Sequence, residues 1–150
     1  RVGVVNGCPL LSRVDLSRNR LKRLGDGTVA KGRPQGGGLV SLNVSHNELE
    51  SLPVQLFAES QLVELNASHN RLSALPDEVD KLAETLEVLE LDYNKLRGLP
   101  ESLGSLGRLR YISLNHNQLR SRPAMLAGIP TLKSWQCGFN PIEAAPDQIG

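Results

Sequence analysis

The chain has 150 residues, of which 39% are hydrophobic and only 3% aromatic, and its formal net charge is +1. These values predict a single globular domain whose core is built from aliphatic side chains. No apolar run approaches the roughly 18 residues that a membrane-spanning helix needs, and no signal peptide is visible, so we expect no membrane insertion.

One phrase recurs along the chain, and its ninth position is always asparagine. The six copies begin near residues 11, 39, 62, 86, 109 and 132, and read LSRVDLSRNRL, LVSLNVSHNEL, LVELNASHNRL, LEVLELDYNKL, LRYISLNHNQL and LKSWQCGFNPI. The asparagines are Asn19, Asn47, Asn70, Asn94, Asn117 and Asn140. In the third copy Leu65 and Ala67 alternate with Glu64, Asn66 and Ser68, which is the period of a strand with one apolar face.

The second half of each copy predicts a return path. Leu75, Pro76, Val79 and Leu82 have the spacing L-P-x-x-L-x-x-L, which recurs in the following copy and favours a short helix or a 3₁₀ turn. Proline fits the first turn of such a helix, where its missing N–H costs nothing. Each copy inserts about six apolar side chains that it cannot bury alone, so neighbouring copies are expected to stack.

The pattern L-x-x-L-x-L-x-x-N-x-L at this period resembles the leucine-rich repeat family, and the resemblance covers residues 11–149. It implies an α/β fold, a right-handed horseshoe solenoid with a concave parallel β-sheet and short helical or 3₁₀ segments on the convex side. The L-P variant is similar to the short, intracellular-type class. We expect one domain over residues 1–150, and we interpret the six asparagines as a structural ladder that satisfies backbone groups at the turns.

A glycine-rich insertion, residues 25–38, separates the first copy from the second and holds six of the fourteen glycines. It buries too little surface to offset its ordering entropy, so we expect a mobile surface loop. A phosphate-binding loop is disfavoured, because the glycines precede a strand rather than a helix and no G-x-x-x-x-G-K-[ST] is present. A tolerated insertion and a docking loop remain as alternatives.

Aromatic and imidazole side chains share the eighth position of the copies. The members of this column are His46, His69, Tyr93, His116 and Phe139. Neighbouring strands lie about 4.7–4.9 Å apart, so His46 and His69 are expected to approach each other. A metal site would need further ligands converging from one side, and a row of imidazoles offers none. A partner-contacting rim and ordinary filling of the repeat remain as alternatives.

Charge varies along the chain in a basic–acidic–basic pattern. Residues 1–38 hold eight Lys/Arg and two Asp/Glu, a net charge of +6. Residues 39–106 hold four Lys/Arg and twelve Asp/Glu (net −8), and residues 107–150 hold five Lys/Arg and two Asp/Glu (net +3). A nucleic-acid-binding protein usually shows a continuous basic stripe, and an acidic middle would repel phosphates. We therefore expect no nucleic acid and favour a protein partner with a basic centre.

The sequence predicts no catalytic site and no cofactor, and hence no enzyme within these residues. Cys137 takes a core position, so it is expected to point inward. Glu90 and Asp92 are expected to lie in open solvent, where nothing raises a carboxyl pKa. No set of nucleophile, base and orienting group has a plausible meeting point.

We therefore predict protein recognition by the concave face, as a scaffold or adaptor. Two alternatives remain: a targeting or autoinhibitory segment of a larger enzyme, and a structural subunit of a large assembly. The predicted partner-binding residues are Glu64, Asn66, His69, Glu90, Asp92, Tyr93, Tyr111, Ser113, Asn115 and His116.

Cysteine usage favours the cytoplasm, since Cys8 and Cys137 lie far apart and form no cluster of the kind that caps secreted repeats. Two glycosylation sequons, at Asn43 and Asn66, leave secretion open. No polar capping unit is visible at either end, so we expect a piece of a longer protein. Its uncapped ends would then expose core surface and favour self-association.

Overall fold

The computed structural model describes residues 13–24, 39–58 and 60–142. Among them, six three-residue strands form one parallel sheet in chain order. The strands are β1 (Arg13–Asp15), β2 (Ser41–Asn43), β3 (Glu64–Asn66), β4 (Val88–Glu90), β5 (Tyr111–Ser113) and β6 (Ser134–Gln136). Each strand covers the third to fifth positions of its copy, so the predicted solenoid of stacked copies with a parallel sheet is confirmed.

The register of the sheet sets equivalent positions of the repeat side by side. Leu42 pairs with Leu65, Leu65 with Leu89, Leu89 with Ile112, and Ile112 with Trp135. Side chains alternate across a strand, so this register puts the fourth position of each copy on the core side of the sheet. The third and fifth positions then face the opposite way, and they form the concave face of the solenoid.

The core is one continuous stack of aliphatic side chains. In the third copy the first, fourth, sixth and eleventh positions, Leu62, Leu65, Ala67 and Leu72, are all 0% exposed. Each fully buried leucine stabilises the fold by roughly 1.5–3 kcal/mol relative to an exposed one. Since the same positions recur in every copy, each layer covers the apolar surface of the next.

The return segments contain one helix, α1 (Val54–Ala58), and three 3₁₀ helices, Asp77–Leu82, Glu101–Ser105 and Ala124–Gly128. The proline of each 3₁₀ segment lies one residue earlier than predicted, in extended conformation directly before the helix. The carbonyl of Pro76 accepts the N–H of Val79 at 3.1 Å. The missing N–H of proline costs nothing there, since the start of a helix has no internal acceptor for it.

Two substitutions in the last copies change the packing there. Arg122 takes the position before proline that leucine occupies in the other copies, and Trp135 replaces leucine in β6. The guanidinium of Arg122 lies over the indole of Trp135, 5.4 Å from the ring centre. Cys137 is partly buried and packs against the core on the same side of the sheet as Trp135.

Several predictions fall on residues outside the described ranges: the insertion 25–38, Cys8, and the two ends, 1–12 and 143–150. In the described part of the chain no helix is both long and apolar enough to cross a lipid bilayer.

Candidate functional site

The asparagines of the repeat join neighbouring copies through backbone groups. The Asn94 amide nitrogen donates to the carbonyls of Ala67 (3.0 Å), Leu91 (3.1 Å) and Asp92 (3.2 Å), and its Oδ1 accepts the N–H of Leu72 at 3.0 Å. The same pattern recurs at Asn47, Asn70, Asn117 and Asn140. These bonds satisfy buried backbone groups that the turn leaves unpaired.

Asn19 differs from the other five asparagines. It is exposed, and among the described residues its amide donates to the carbonyls of Leu16 (2.9 Å) and Ser17 (3.1 Å), both of its own copy. By contrast, Asn47, Asn70, Asn94 and Asn117 are each between 6% and 8% exposed. Residues 1–12, which include the first two residues of the first copy, lie outside the described part of the chain.

Four of the ten predicted partner-binding residues line two separate depressions of the sheet. Glu64, Asn66 and Glu90 line a depression of about 230 Å³ over β2, β3 and β4. Tyr111 lines a separate depression of about 310 Å³ at the start of β4 to β6. Ser113 is only 1% exposed, so it has almost no surface to offer a partner and instead supports the residues around it.

Asp92 is the centre of a hydrogen-bond network that crosses the copies. Its Oδ1 accepts the hydroxyl of Ser113 at 2.5 Å and the backbone N–H of Asn115 at 2.7 Å. Its own N–H donates to the hydroxyl of Ser68 at 3.1 Å. The side-chain oxygen of Asn115 accepts the N–H of Gly138 at 2.7 Å. The strand ends of the third to sixth copies are therefore linked laterally by side chains.

In the second and third copies the corresponding bonds stay within one copy. The Asn43 side-chain oxygen accepts the N–H (3.0 Å) and the hydroxyl (2.7 Å) of Ser45, and Asn66 accepts the N–H of Ser68 at 3.1 Å. Both asparagines of the glycosylation sequons are thus half-buried and hydrogen-bonded to a buried serine two residues on.

Burial raises the pKa of the Glu90 carboxyl above its ordinary value, and the neighbouring Asp92 and Glu64 carboxylates raise it further. The prediction that nothing raises a carboxyl pKa on this face is therefore wrong for Glu90. The physical reason is the stacking of copies, which half-buries the fifth position and brings acids from adjacent copies together.

We expect Glu90→Gln to stabilise the protein at pH 7 and to have little effect at pH 4. The pKa of Glu90 is higher in the folded than in the unfolded chain, so its contribution is favourable at acid pH and is lost as the pH rises through the folded-state pKa. Thermal unfolding at both pH values measures the effect. The matched control is Glu87→Gln, whose carboxylate lies 3.8 Å from Arg110, and which should not stabilise. An equal gain at both pH values would contradict this explanation.

The eighth positions of the second to sixth copies form a stack of parallel rings, which we call the ring ladder. The ring centres are 4.1 Å apart for His46–His69, 4.4 Å for His69–Tyr93, 4.1 Å for Tyr93–His116 and 4.2 Å for His116–Phe139. All interplanar angles lie between 8° and 14°. The expected approach of His46 to His69 is thus one step of a continuous stack.

Each ring of the ladder projects from a backbone in the left-handed region. The φ angles of the eighth positions lie between 57° and 60°, including that of Arg18 in the first copy. Residues other than glycine seldom adopt this region, because Cβ crowds the following carbonyl oxygen. The hydrogen bonds of the asparagine that follows, which join two copies, offset this strain in the second to sixth copies.

The ring ladder covers most of its own ring faces. Each inner ring is stacked on both sides, so a partner can reach only the ring edges and the outer face of a terminal ring. Tyr93 is 47% exposed and Phe139 is 78% exposed. The ladder therefore offers a polar and aromatic rim for contact, but no gap in which a nucleic-acid base could stack. Among the described residues no group of three or more His, Cys, Asp or Glu is placed to hold a metal ion.

Partial burial within the ladder lowers the pKa of His69 below its ordinary value of 6.5. The neighbouring charges of His46, Arg18 and His116 lower it further, while the Asp92 carboxylate opposes them. The neutral imidazole is therefore the form that the stack favours.

We expect the unfolding free energy to fall as the pH is lowered below 6.5, and His69→Phe to reduce that fall. Since the folded-state pKa of His69 is depressed, its contribution is fully present above the unfolded-state value of 6.5 and is lost as the pH falls through the folded-state pKa. Denaturant unfolding between pH 7 and pH 5 measures the slope. Tyr93→Phe, which keeps the stack and removes no imidazole, should retain the wild-type slope; an unchanged slope in His69→Phe would contradict the assignment.

One surface feature was not found from the sequence. Arg97, Gln118, Arg120 and Pro141 line a groove of about 390 Å³ at the edge of the solenoid where the strands end, and we call it the strand-end groove. These residues take the tenth and twelfth positions of their copies. Aligning those two positions across the copies would have shown the basic pair.

Comparison with known proteins agrees with the geometry. The family model described as "Leucine rich repeat" matches residues 60–119. None of the curated proteins matches the sequence. Proteins built on this repeat are typically not enzymes, and their repeat domains generally mediate protein–protein interaction.

Three solved structures illustrate the similarity. A Leptospira interrogans LRR protein is 30% identical with a TM-score of 0.80, over 93% of this chain and 34% of that one. The BIR2 ectodomain from Arabidopsis thaliana is 25% identical with a TM-score of 0.59, over 80% of this chain and 60% of that one. A Shigella effector LRR domain is 24% identical with a TM-score of 0.59, over 97% of this chain and 65% of that one. The chain thus spans about a third of the Leptospira protein and less than two thirds of the other two.

Proposed function

We propose that this chain, a leucine-rich repeat solenoid, binds a protein partner through its concave face and places a basic segment of that partner over Glu64, Glu90 and Asp92. The observation that carries the proposal is geometric: Glu64 and Glu90, from adjacent copies, line one depression of the sheet. Burial, and then the Asp92 and Glu64 carboxylates, raise the pKa of Glu90 there. Groups perturbed in this way concentrate at functional sites.

Cationic side chains of the described residues do little to neutralise these acids. Glu64 has one cationic neighbour, Arg13, at 3.9 Å, and both side chains are more than half exposed. Glu90 and Asp92 form no ion pair with any residue in the described ranges. A lysine or arginine of a partner would turn the repulsion into attraction, and such charge complementarity selects partners and speeds their association.

Two tyrosines flank the acids and supply contact area. Tyr93 projects from the ring ladder and is 47% exposed, and Tyr111 lines the neighbouring depression. Tyrosine combines a large apolar surface with a polar tip and is enriched among the residues that dominate binding energy.

We expect Tyr111→Ala and Asp92→Asn each to weaken partner binding by about 2 kcal/mol, roughly thirtyfold, as for a buried contact at the centre of an interface. A partner is first captured with the whole chain, and affinities are then measured by calorimetry at two salt concentrations. The convex control is Glu101→Ala, which should bind like wild type. Loss of affinity only in Glu101→Ala would move the site to the convex side and favour a structural subunit instead.

We further propose a cytoplasmic location. Free Cys137 is compatible with a reducing compartment. Asn43 and Asn66 are half-buried, and their side-chain oxygens are held by buried serines, so both side chains are poorly presented to a glycosyltransferase in the folded chain. Mass spectrometry of the protein from its native source tests this, and a glycan on Asn43 or Asn66 would overturn it.

A further inference from the structure

The strand-end groove carries two arginines from adjacent copies. Arg97 and Arg120 both take the twelfth position, one repeat apart, and both are exposed. Adjacent copies of the sheet are spaced by about 4.8 Å, so the register brings the bases of the two side chains close together. Gln118 lies between them in the sequence, and Pro141 of the sixth copy also lines the groove.

In earlier copies a carboxylate neutralises an arginine on the same edge. In the second and third copies Glu48 and Arg71 share the tenth position and lie 4.0 Å apart. Within the described ranges the ion pairs are that one, Arg13–Glu64 and Arg110–Glu87, so none includes Arg97 or Arg120. Two neighbouring guanidinium groups repel each other, and an anion between them would reverse that repulsion.

We propose that the strand-end groove binds a carboxylate-bearing segment of a protein, with Arg97 and Arg120 as its charge-recognition residues. A guanidinium donates two parallel N–H groups to a carboxylate, and such charge-assisted pairs are the strongest hydrogen bonds available on a protein surface. The side-chain amide of Gln118, which can both donate and accept, suits the peptide backbone that connects successive acidic residues.

A nucleic acid fits the groove less well than an acidic peptide does. Single-stranded nucleic acids are held by basic grooves lined with open ring faces, and the inner rings of the neighbouring ring ladder are stacked on both sides. The same edge carries Glu48 and Glu50 in the second copy, which would repel a phosphate backbone that follows the solenoid.

This site is independent of the one on the concave face, from which the ring ladder and the asparagines separate it. If one partner uses both, it must present a basic strip to the concave face and an acidic strip to the groove. The ring ladder between them would then determine the orientation of that partner.

The test uses the complete 150-residue chain and a fluorescein-labelled oligoglutamate peptide, with binding followed by fluorescence anisotropy at low salt. We expect Arg97→Gln and Arg120→Gln each to weaken binding about fivefold, and the double variant to abolish it, as expected for the loss of charge-assisted hydrogen bonds. The matched control is Arg108→Gln, an exposed arginine just before β5 that does not line the groove and should bind like wild type.

Glu143 takes the twelfth position of the sixth copy and lies outside the described residues. Every variant is therefore also measured in a Glu143→Gln background, so that competition by this carboxylate does not conceal the effect. Equal binding by the double variant and the wild type in that background overturns the proposal. So does an equal loss in Arg108→Gln, or stronger binding of an oligothymidylate or a phosphoserine peptide than of oligoglutamate.

Discussion

Replacing Asn94 by leucine is expected to lower the free energy of unfolding by about 3 kcal/mol. The amide of Asn94 is 7% exposed and bonds carbonyls of two copies, while its oxygen accepts the N–H of Leu72. Leucine makes none of these bonds, so several buried backbone groups lose their partner at about 1–3 kcal/mol each, less whatever the turn recovers by admitting water. Urea unfolding followed by circular dichroism measures the change.

The repeat provides a matched control for this prediction. Asn19→Leu is the same substitution at the same position, but Asn19 is exposed, and the bonds that it makes to described residues stay within its own copy. The expected loss is therefore below about 1 kcal/mol. Equal losses in the two variants would show that the bonds between copies contribute nothing beyond the local turn.

Replacing Tyr93 by valine is expected to lower the free energy of unfolding on the order of 3 kcal/mol, from two separate causes. The left-handed backbone at φ 59° costs a residue other than glycine roughly 1–2 kcal/mol, and a β-branched side chain adds further crowding to this strain. The substitution also removes two ring contacts, to His69 and His116, at about 0.5–1.5 kcal/mol each.

Two companion variants separate these causes. Tyr93→Asn loses the stacking but tolerates the left-handed backbone, so it should lose only about 1–2 kcal/mol. Tyr93→Phe keeps both and should unfold like wild type. If the asparagine variant is as unstable as the valine variant, backbone strain at the eighth position has no measurable role and the stacking accounts for the whole loss.

On the proposed binding face, the charge of Glu90 is expected to have opposite effects on the stability of the fold and on the binding of a partner. Glu90 destabilises the fold at neutral pH because burial and two neighbouring acids disfavour its charge. The same charge is what a basic partner would meet. A Glu90→Gln protein that is more stable yet binds its partner less tightly is therefore the combined expectation.

The strands, the stacking of copies and the positions of the asparagines were predicted from the sequence, because each rests on a short local period. The alternation around Leu65 identifies a strand from adjacent residues alone, and the recurrence of Asn70 and Asn94 places the turns. The eighth-position column was also visible in the sequence, but the parallel stacking of His69 on Tyr93 was not, because it requires the left-handed backbone that every copy shares.

Other features depend on which residues face each other across copies. Asp92 accepts hydrogen bonds from residues 21 and 23 positions further along the chain, and one of these, Ser113, is only 1% exposed. The raised pKa of Glu90 comes first from its burial between copies, and then from Asp92 and from Glu64 of the preceding copy. A linear pattern assigns each side chain to a face but gives neither its burial nor its distance from the next copy.

The sequence by itself therefore determined the architecture: a strand, an asparagine turn and a return segment in every copy, stacked because none can bury its leucines alone. Only the tertiary structure decided the chemistry of the surface, where three carboxylates meet on the concave face, rings stack along its rim, and Arg97 and Arg120 share one groove. The physical reason is that the repeat period sets the direction of each side chain, whereas electrostatic and hydrogen-bond energies depend on distances between copies more than twenty residues apart in the chain.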